Sequence, residues 1–340
     1  MLGVGICRAC FLFSQAWEAI ESAVPSVPIR IRRGADDVAR HVVAVFLAHV
    51  ATSWRVIRAG TDASGSYADR AKHSRACWWV MLVDFWSRWN GRGGHPDDKP
   101  RLLEHETLAW SLEEAHSHTA SFDAEKALHK KLHINLVPLP FIGNIRSSYV
   151  YILYGNPGVA TSDYNDDLQN SAHRAACERN LRGSGQGFFP LRTPSDNTGV
   201  SDYWWPRMRK MAVRLSESLG ISKSEAEDIV IKRVSVIEAV AYHSRSSPGQ
   251  WADSLPSSAA ARHFVQHVLI PKARNQEIAI LVWRRVDFWG IPANTNNVLI
   301  RNSSNARNSH LLGTEQAFLV DHLARRTRNA QPTFSADVSA

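Results

Sequence analysis

A short polar turn that follows an apolar run is the part of this chain best suited to chemistry. Residues 149–154, Tyr-Val-Tyr-Ile-Leu-Tyr, are rich in aromatic and β-branched side chains and predict a buried strand. The turn Gly155-Asn156-Pro157-Gly158 ends this strand, since glycine permits a left-handed turn and proline lacks a backbone donor. Ligands of open α/β sheets bind beyond the carboxyl ends of the strands. Asn156 is therefore a candidate to orient a water or bind a base edge, and the alternative is an Asn that only caps its own turn.

Three later apolar runs predict the remaining strands, at residues 234–241, 277–283 and 297–300. Helix-like stretches separate them, which is typical of parallel βαβ units. The runs are continuous rather than alternating, so we expect helices on both faces of the sheet. The predicted fold class is α/β, a three-layer α/β/α arrangement with a central four-stranded parallel sheet, over residues 138–325.

Other candidate site residues lie near the predicted strand ends. His243, after the second strand, could donate a hydrogen bond to a developing negative charge, or could be a structural histidine with both partners satisfied. Glu238, within that strand, could be an inward carboxylate with a raised pKa, or could pair with an arginine. Phe189 could stack on a base or belong to the core.

The last polar run, residues 301–312, contains a further set of candidates. His310 and Leu311 could act as a wedge in duplex DNA, with Asn308 in the same loop. Arg301 and Arg307 could hold phosphates on either side. The alternative is an ordinary Ser- and Asn-rich surface loop.

The order of these motifs resembles that of the uracil-DNA glycosylase superfamily, and its mismatch-specific branch in particular. The resemblance covers residues 138–325. In that branch the first strand ends in Gly-Ile-Asn-Pro-Gly, which Asn156-Pro157-Gly158 matches in its last three positions. Three later segments lie where the family has a base-stacking Phe, a Leu-Trp-Gly-like strand end and a DNA-entering loop: Gly187-Phe188-Phe189-Pro190, Leu281-Val282-Trp283-Arg284 and Asn308-Ser309-His310-Leu311-Leu312.

The resemblance implies a hydrolase that removes a flipped, damaged or deaminated base by cleaving its N-glycosidic bond. It assigns catalytic roles to Asn156 and His243 and DNA-phosphate contacts to Arg301 and Arg307. The substrate-binding residues that it implies are Gly155, Pro157, Gly158, Phe189, Asn308, His310 and Leu311.

The chain also departs from the family pattern. The efficient uracil enzymes have Asp where Asn156 stands, the last loop lacks its Pro, and Tyr242-His243-Ser244 replaces the base-reading Asn. Two alternatives therefore stay open. One is a non-catalytic nucleic-acid or nucleotide-binding protein on the same fold. The other is an unrelated α/β hydrolase of a small substrate, although no Gly-x-Ser-x-Gly elbow surrounds Ser244.

Composition limits the partners. The 340 residues have a formal net charge of +8 and a pI near 9.5, which favours a polyanion such as DNA, single-stranded or damaged. Four cysteines form one Cys-x-x-Cys pair, Cys7 and Cys10, without a second pair at finger-like spacing, so we expect no metal and no cofactor. No apolar run is long enough to span a membrane. We expect a cytoplasmic monomer without membrane contact.

Composition also divides the chain. Residues 1–80 show no sustained helix or strand period, so we expect a poorly structured N-terminal extension or translated upstream sequence before a start at Met81. The alternative is a genuine small N-terminal domain. Residues 81–137 predict a helical segment, residues 138–325 the α/β domain and residues 326–340 a disordered tail.

Overall fold

A computed structural model describes most of the chain that follows residue 79. The described residues are 80–105, 107–117, 128–159, 161–185, 187–188, 199–301 and 310–330. The predicted N-terminal extension, apart from Val80, lies outside the described residues, and so do Phe189, Arg307 and Asn308.

The described α-helices occur before, between and after the strands. They are α1 (Val80–Ser87), α2 (Lys99–Leu103), α3 (Leu112–Ser117), α4 (Thr161–Gln169), α5 (Ser171–Leu181), α6 (Gly199–Leu219), α7 (Lys223–Arg233), α8 (Pro256–Phe264), α9 (Ile270–Arg274), α10 (Val286–Trp289) and α11 (Gly313–Ala330). A π-helical turn, Val265–Leu269, joins α8 to α9. None of these helices is long and apolar enough to cross a membrane.

The sheet has the predicted strands and one more. The strands are β1 (Phe141–Ile142), β2 (Val150–Tyr154), β3 (Val234–Glu238), β4 (Ala279–Val282) and β5 (Val298–Ile300). Their order is β1-β3-β2-β4-β5, and β3, β2, β4 and β5 are parallel to one another, as the apolar runs predict. The α/β class is therefore confirmed.

The prediction of a purely parallel, four-stranded sheet is wrong, because a fifth strand, β1, pairs antiparallel to β3 at the edge. Two residues are too few to show a period in the sequence. Gly143 ends β1 with φ +98°, and a Cβ there would lie 2.5 Å from the carbonyl oxygen of Val234. Only glycine fits this close approach of two backbones.

Helices cover both faces of the sheet. Successive side chains of a strand point to opposite faces, and in β2 they enter two different clusters. Tyr151 and Leu153 belong to a core cluster that includes residues of α1, α5 and α8. Val150, Ile152 and Tyr154 belong to a second cluster with residues of α6, α7 and α11. Burial on both sides explains why β4 is apolar throughout and why β2 carries only aliphatic and aromatic side chains.

The helical segment predicted at residues 81–137 is part of the same core. Leu82 and Trp86 of α1 are 0% and 1% exposed and belong to the cluster that contains Tyr151. Asp98 adds a polar link, because its carboxylate accepts hydrogen bonds from the Tyr242 hydroxyl at 2.6 Å and the Ser257 backbone N–H at 2.9 Å. The segment therefore completes one face of the α/β domain.

The last helix extends past the predicted end of the α/β domain. The sequence places the end of the ordered domain at residue 325, whereas α11 continues to Ala330. The residues beyond Ala330 lie outside the described part.

Candidate functional site

A cavity of about 370 Å³ lies where β2, β3 and β4 end. Asn156 follows β2, Glu238 is the last residue of β3, and Arg284 lies just beyond β4; all three line the cavity. Tyr154 and Trp204 provide aromatic walls. Because parallel strands present their carboxyl ends at one edge, the fold brings together side chains that are far apart in the sequence.

Asn156 has a fixed amide orientation. Its Nδ2 lies 3.0 Å from the carbonyl oxygen of Pro157 and 2.9 Å from that of Ser244, and both oxygens can only accept. It also lies 2.9 Å from the Ser244 hydroxyl. The amide nitrogen of Asn156 is therefore directed toward these groups. Its amide oxygen, Oδ1, accepts no hydrogen bond within the described part of the chain. Such an oxygen can accept from a water or from a base N–H.

His243 lines the same cavity, as predicted, but its ring is already engaged. Nδ1 lies 2.8 Å from the carbonyl oxygen of Gly158, and Nε2 lies 3.1 Å from that of Val137. A neutral imidazole donates from one nitrogen and a charged one from both. Both ring nitrogens therefore point at backbone carbonyl oxygens, and a neutral ring hydrogen-bonds only one of the two. This geometry contradicts the expectation that His243 donates to a leaving base.

Glu238 contributes a buried carboxyl group. It is 3% exposed, and burial raises the pKa of its carboxyl well above the usual range, while the nearby Arg284 guanidinium acts in the opposite direction. Within the described residues, Oε2 has no hydrogen-bond partner. A neutral carboxyl group in a cavity can donate one hydrogen bond and accept others. The site residues that the family resemblance implies do not include Glu238, and its signal in the sequence is a lone carboxylate at the end of an apolar strand.

Arg284 and the tyrosines form the polar side of the aromatic wall. The Arg284 guanidinium carbon lies 5.1 Å from the ring centre of Tyr154. The hydroxyl of Tyr154 shares a hydrogen bond with that of Tyr203, and burial raises the pKa of Tyr154. This wall is therefore neutral apart from the arginine, which favours an electron-rich or partly negative ligand.

The turn after β2 has a different conformation from the one predicted. Neither Gly155 nor Gly158 has a positive φ, so glycine is not needed there for a left-handed turn. The turn is held instead by the segment after β3: the N–H of Val240 donates to Gly155 at 2.9 Å, and that of Ser244 donates to Pro157 at 3.0 Å. Pro157 and Gly158 line the cavity, whereas Gly155 does not.

The prediction that Arg301 binds a DNA phosphate is wrong. Its side chain is 1% exposed and forms a two-point ion pair with Glu315 of α11, with Nε 2.6 Å from Oε1. The guanidinium also lies 4.3 Å from the ring centre of Trp283 and donates to the carbonyl oxygen of His310 at 2.9 Å. A buried arginine with these partners cannot reach a phosphate in solvent.

The wedge prediction is wrong for Leu311. Its side chain is 6% exposed and belongs to the core cluster on the α6, α7 and α11 face. His310 is exposed, so it alone of the predicted pair lies at the surface. Phe188, next to Phe189, is a fully buried core residue with its ring centre 5.7 Å from that of Trp204.

Comparison with known proteins gives no family: no family model matches the chain, and neither a curated protein nor a solved structure is significantly similar to it.

Proposed function

We propose that the protein is a uracil-DNA-glycosylase-like hydrolase that accepts a flipped base in the cavity at the carboxyl ends of β2, β3 and β4. The observation behind this proposal is that Asn156 and the buried carboxyl of Glu238 line one cavity with an aromatic wall. A volume of about 370 Å³ lies at the small end of ligand sites, which span about 300–1,000 Å³. It suits a single base with its sugar.

The proposed reaction is hydrolysis of the bond between the sugar C1′ and the base nitrogen. Oδ1 of Asn156 accepts a hydrogen bond from a water, whose oxygen forms the new bond to C1′ as the bond to the base breaks. The base leaves with the electron pair and negative charge. Arg284 stabilises that charge, and Glu238 supplies a proton to the base and regains one from the attacking water. Tyr154 and Trp204 hold the ring, since stacking contributes about 1–3 kcal/mol per base.

The proposed substrate is DNA that is single-stranded or carries a damaged base. The formal net charge of +8 supports a polyanionic partner. Arg307 and Asn308 remain candidate contacts from the sequence alone, and Arg301 is no longer one.

A second candidate function is base or nucleotide binding without hydrolysis. Two observations favour it. The position after β2 carries Asn156 rather than a carboxylate, and the ring nitrogens of His243 are both directed at carbonyl oxygens. Without an ionised side chain to take a proton from water, hydrolysis would be slow, and the same cavity would then serve recognition only.

A single-turnover glycosylase assay on single-stranded oligonucleotides tests both functions. The substrates carry uracil, hypoxanthine or an unmodified base, and base release and binding are measured separately. We expect release of a deaminated base by the full-length protein and at least tenfold slower release by Glu238→Gln and Asn156→Ala, with DNA binding little changed. Glu104→Gln and Asn90→Ala are matched controls, because both side chains are exposed and neither lines the cavity.

Each outcome has a distinct meaning. Binding of the modified oligonucleotide without release supports the recognition function, provided that Trp204→Ala weakens the binding. Release that is unchanged in both cavity variants contradicts the proposed site. Neither binding nor release of any oligonucleotide contradicts both functions.

A further inference from the structure

A second group of side chains converges at a buried point, on the helix pair α4–α5. Asp167 lies near the end of α4, and His173 and Cys177 lie one turn apart on α5. The side chain of Asn170 accepts a hydrogen bond from the His173 N–H at 3.0 Å and begins α5, which fixes the short turn between the helices. Asp167 and Cys177 are 5% and 1% exposed.

Asp167 and Cys177 both approach the same ring nitrogen of His173. Nε2 of His173 lies 3.5 Å from Oδ1 of Asp167 and 3.4 Å from Sγ of Cys177. A proton relay of the Cys-His-Asp type uses the two different ring nitrogens, one toward each partner. Here both partners lie at the same nitrogen, which can donate to only one of them. The arrangement is therefore unsuited to a nucleophilic triad.

The two distances to Nε2 of His173 fit ligands around a metal ion. Zinc binds Cys sulfur at about 2.3 Å and His nitrogen or carboxylate oxygen at about 2.0 Å in tetrahedral geometry, which separates the ligand atoms by about 3.3–3.6 Å. The two measured distances, 3.5 and 3.4 Å, agree with this geometry. All three candidate ligand atoms lie within 4.8 Å of one another.

We propose that Asp167, His173 and Cys177 bind a zinc ion, with water as the fourth ligand. A cavity of about 520 Å³, which Asp167 lines together with Asn135 and Arg174, lies beside the site. Arg174 is a positive neighbour, but it forms an ion pair with Glu178 at 3.1 Å. The mixed nitrogen, oxygen and sulfur ligands suit zinc better than magnesium or calcium, which prefer oxygen alone.

The surroundings orient one ligand and connect the site to the base cavity. The N–H of Val137 donates to the second carboxylate oxygen, Oδ2 of Asp167, at 2.5 Å, as expected of a group that orients a metal ligand. The carbonyl oxygen of Val137 lies 3.1 Å from Nε2 of His243. A metal ion at this point would thus fix α4 and α5 beside Val137. Val137 in turn contacts His243, which lines the base cavity.

Zinc binding should depend on pH. Zinc binds the carboxylate and the thiolate, so binding must release the protons that these groups hold. We expect the apparent zinc affinity to rise with pH.

The test uses cobalt in place of zinc in the full-length protein. After treatment with a chelator, the protein is titrated with CoCl₂, and the thiolate-to-cobalt charge-transfer band in the near ultraviolet is recorded. We expect a band that saturates at one equivalent and disappears when ZnCl₂ is added. The chain has four cysteines, Cys7, Cys10, Cys77 and Cys177. The variant with Cys7→Ser, Cys10→Ser and Cys77→Ser retains only Cys177 and should keep the band.

The same variant decides the outcome even if the ligand variants fold poorly. Loss of the band in the triple variant would place the thiolate ligand elsewhere and overturn the proposal, as would the absence of a band in the unmodified protein. Cys177→Ser should abolish the band and His173→Gln should weaken cobalt binding at least tenfold. A band that persists unchanged in either variant would also contradict the site. None of these absorption measurements depends on glycosylase activity.

Discussion

Asn156 shows how a single side chain can be held by the backbone of a distant segment. Its amide nitrogen faces two carbonyl oxygens, one on the next residue and one on Ser244. An aspartate at this position would direct one of its oxygens at those carbonyls and would be repelled by them. The Asn is therefore matched to its surroundings, and any catalysis that it supports acts by orienting water.

Glu238 is the second residue whose surroundings decide its chemistry. Its pKa is raised because burial disfavours the charged form. The folded state therefore keeps the proton at a pH where the unfolded chain, with a pKa near 4.5, has lost it. Glu238 contributes stability below that value, and the contribution is lost as the pH rises through the folded pKa.

Replacement of Glu238 by Gln should remove this pH dependence. As the pH rises from 4.5 toward the folded pKa of Glu238, the free energy of unfolding of the unmodified protein should fall relative to that of Glu238→Gln. The expected slope is about 1.4 kcal/mol per pH unit, because one proton is lost on unfolding. Urea unfolding between pH 4 and pH 9 measures the difference.

Glu104→Gln, at an exposed side chain, is the control and should follow the unmodified protein. Parallel curves for Glu238→Gln and the unmodified protein would show that the Glu238 carboxyl is ionised in the fold.

At the scale of the elements, Arg301 joins the end of β5 to the first turn of α11. The ion pair with Glu315 is buried at both ends, with side-chain exposures of 1% and 4%. Removal of one partner from such a pair leaves an uncompensated buried charge, which costs about 3–5 kcal/mol. The pair therefore holds the helix that covers one face of the sheet.

Arg301→Ala and Glu315→Ala should each lower the free energy of unfolding by about 3–5 kcal/mol, and the double variant Arg301→Met with Glu315→Leu should lose less. Equilibrium urea unfolding measures the free energy of unfolding of all three variants. Lys232→Ala, which breaks the exposed pair with Asp228, is the control and should change stability by about 1 kcal/mol or less. If Arg301→Ala left stability intact but reduced the salt dependence of DNA binding, the phosphate role would be restored.

At the scale of the whole molecule, the segment before the first strand belongs to the main core. Trp86 is 1% exposed, and its ring centre lies 6.2 Å from that of Tyr242, which is far from it in the sequence. Within the described residues its indole N–H has no acceptor. Packing rather than hydrogen bonding therefore accounts for its contribution.

Trp86→Ala should lower the free energy of unfolding by about 3–5 kcal/mol, because it leaves a large cavity in the core. Trp86→Phe should cost much less, since it keeps an aromatic ring and removes an unpaired donor. Leu103→Ala is the control, because Leu103 is 86% exposed. Thermal and urea unfolding of the full-length chain measure all three. A small effect of Trp86→Ala would show that residues 80–87 are peripheral.

The sequence alone determined the fold class and the location of four candidate site residues that line the cavity: Asn156, Pro157, Gly158 and His243. Four continuous apolar runs predicted the four parallel strands, because strands buried on both faces cannot alternate. The turn after β2 placed Asn156 at the carboxyl edge, where the cavity lies. These features depend on local composition and on the general geometry of parallel sheets, which a sequence displays directly.

The tertiary structure alone decided the chemical state and partners of the other residues. Arg301 looked like a surface phosphate ligand until Glu315 was brought beside it, and Leu311 looked exposed until α11 packed on the sheet. Asp167, His173 and Cys177 converge only because the turn between α4 and α5 aligns their side chains. Burial, charge pairing and ligand geometry depend on distances between remote segments, and these distances arise only when the chain packs.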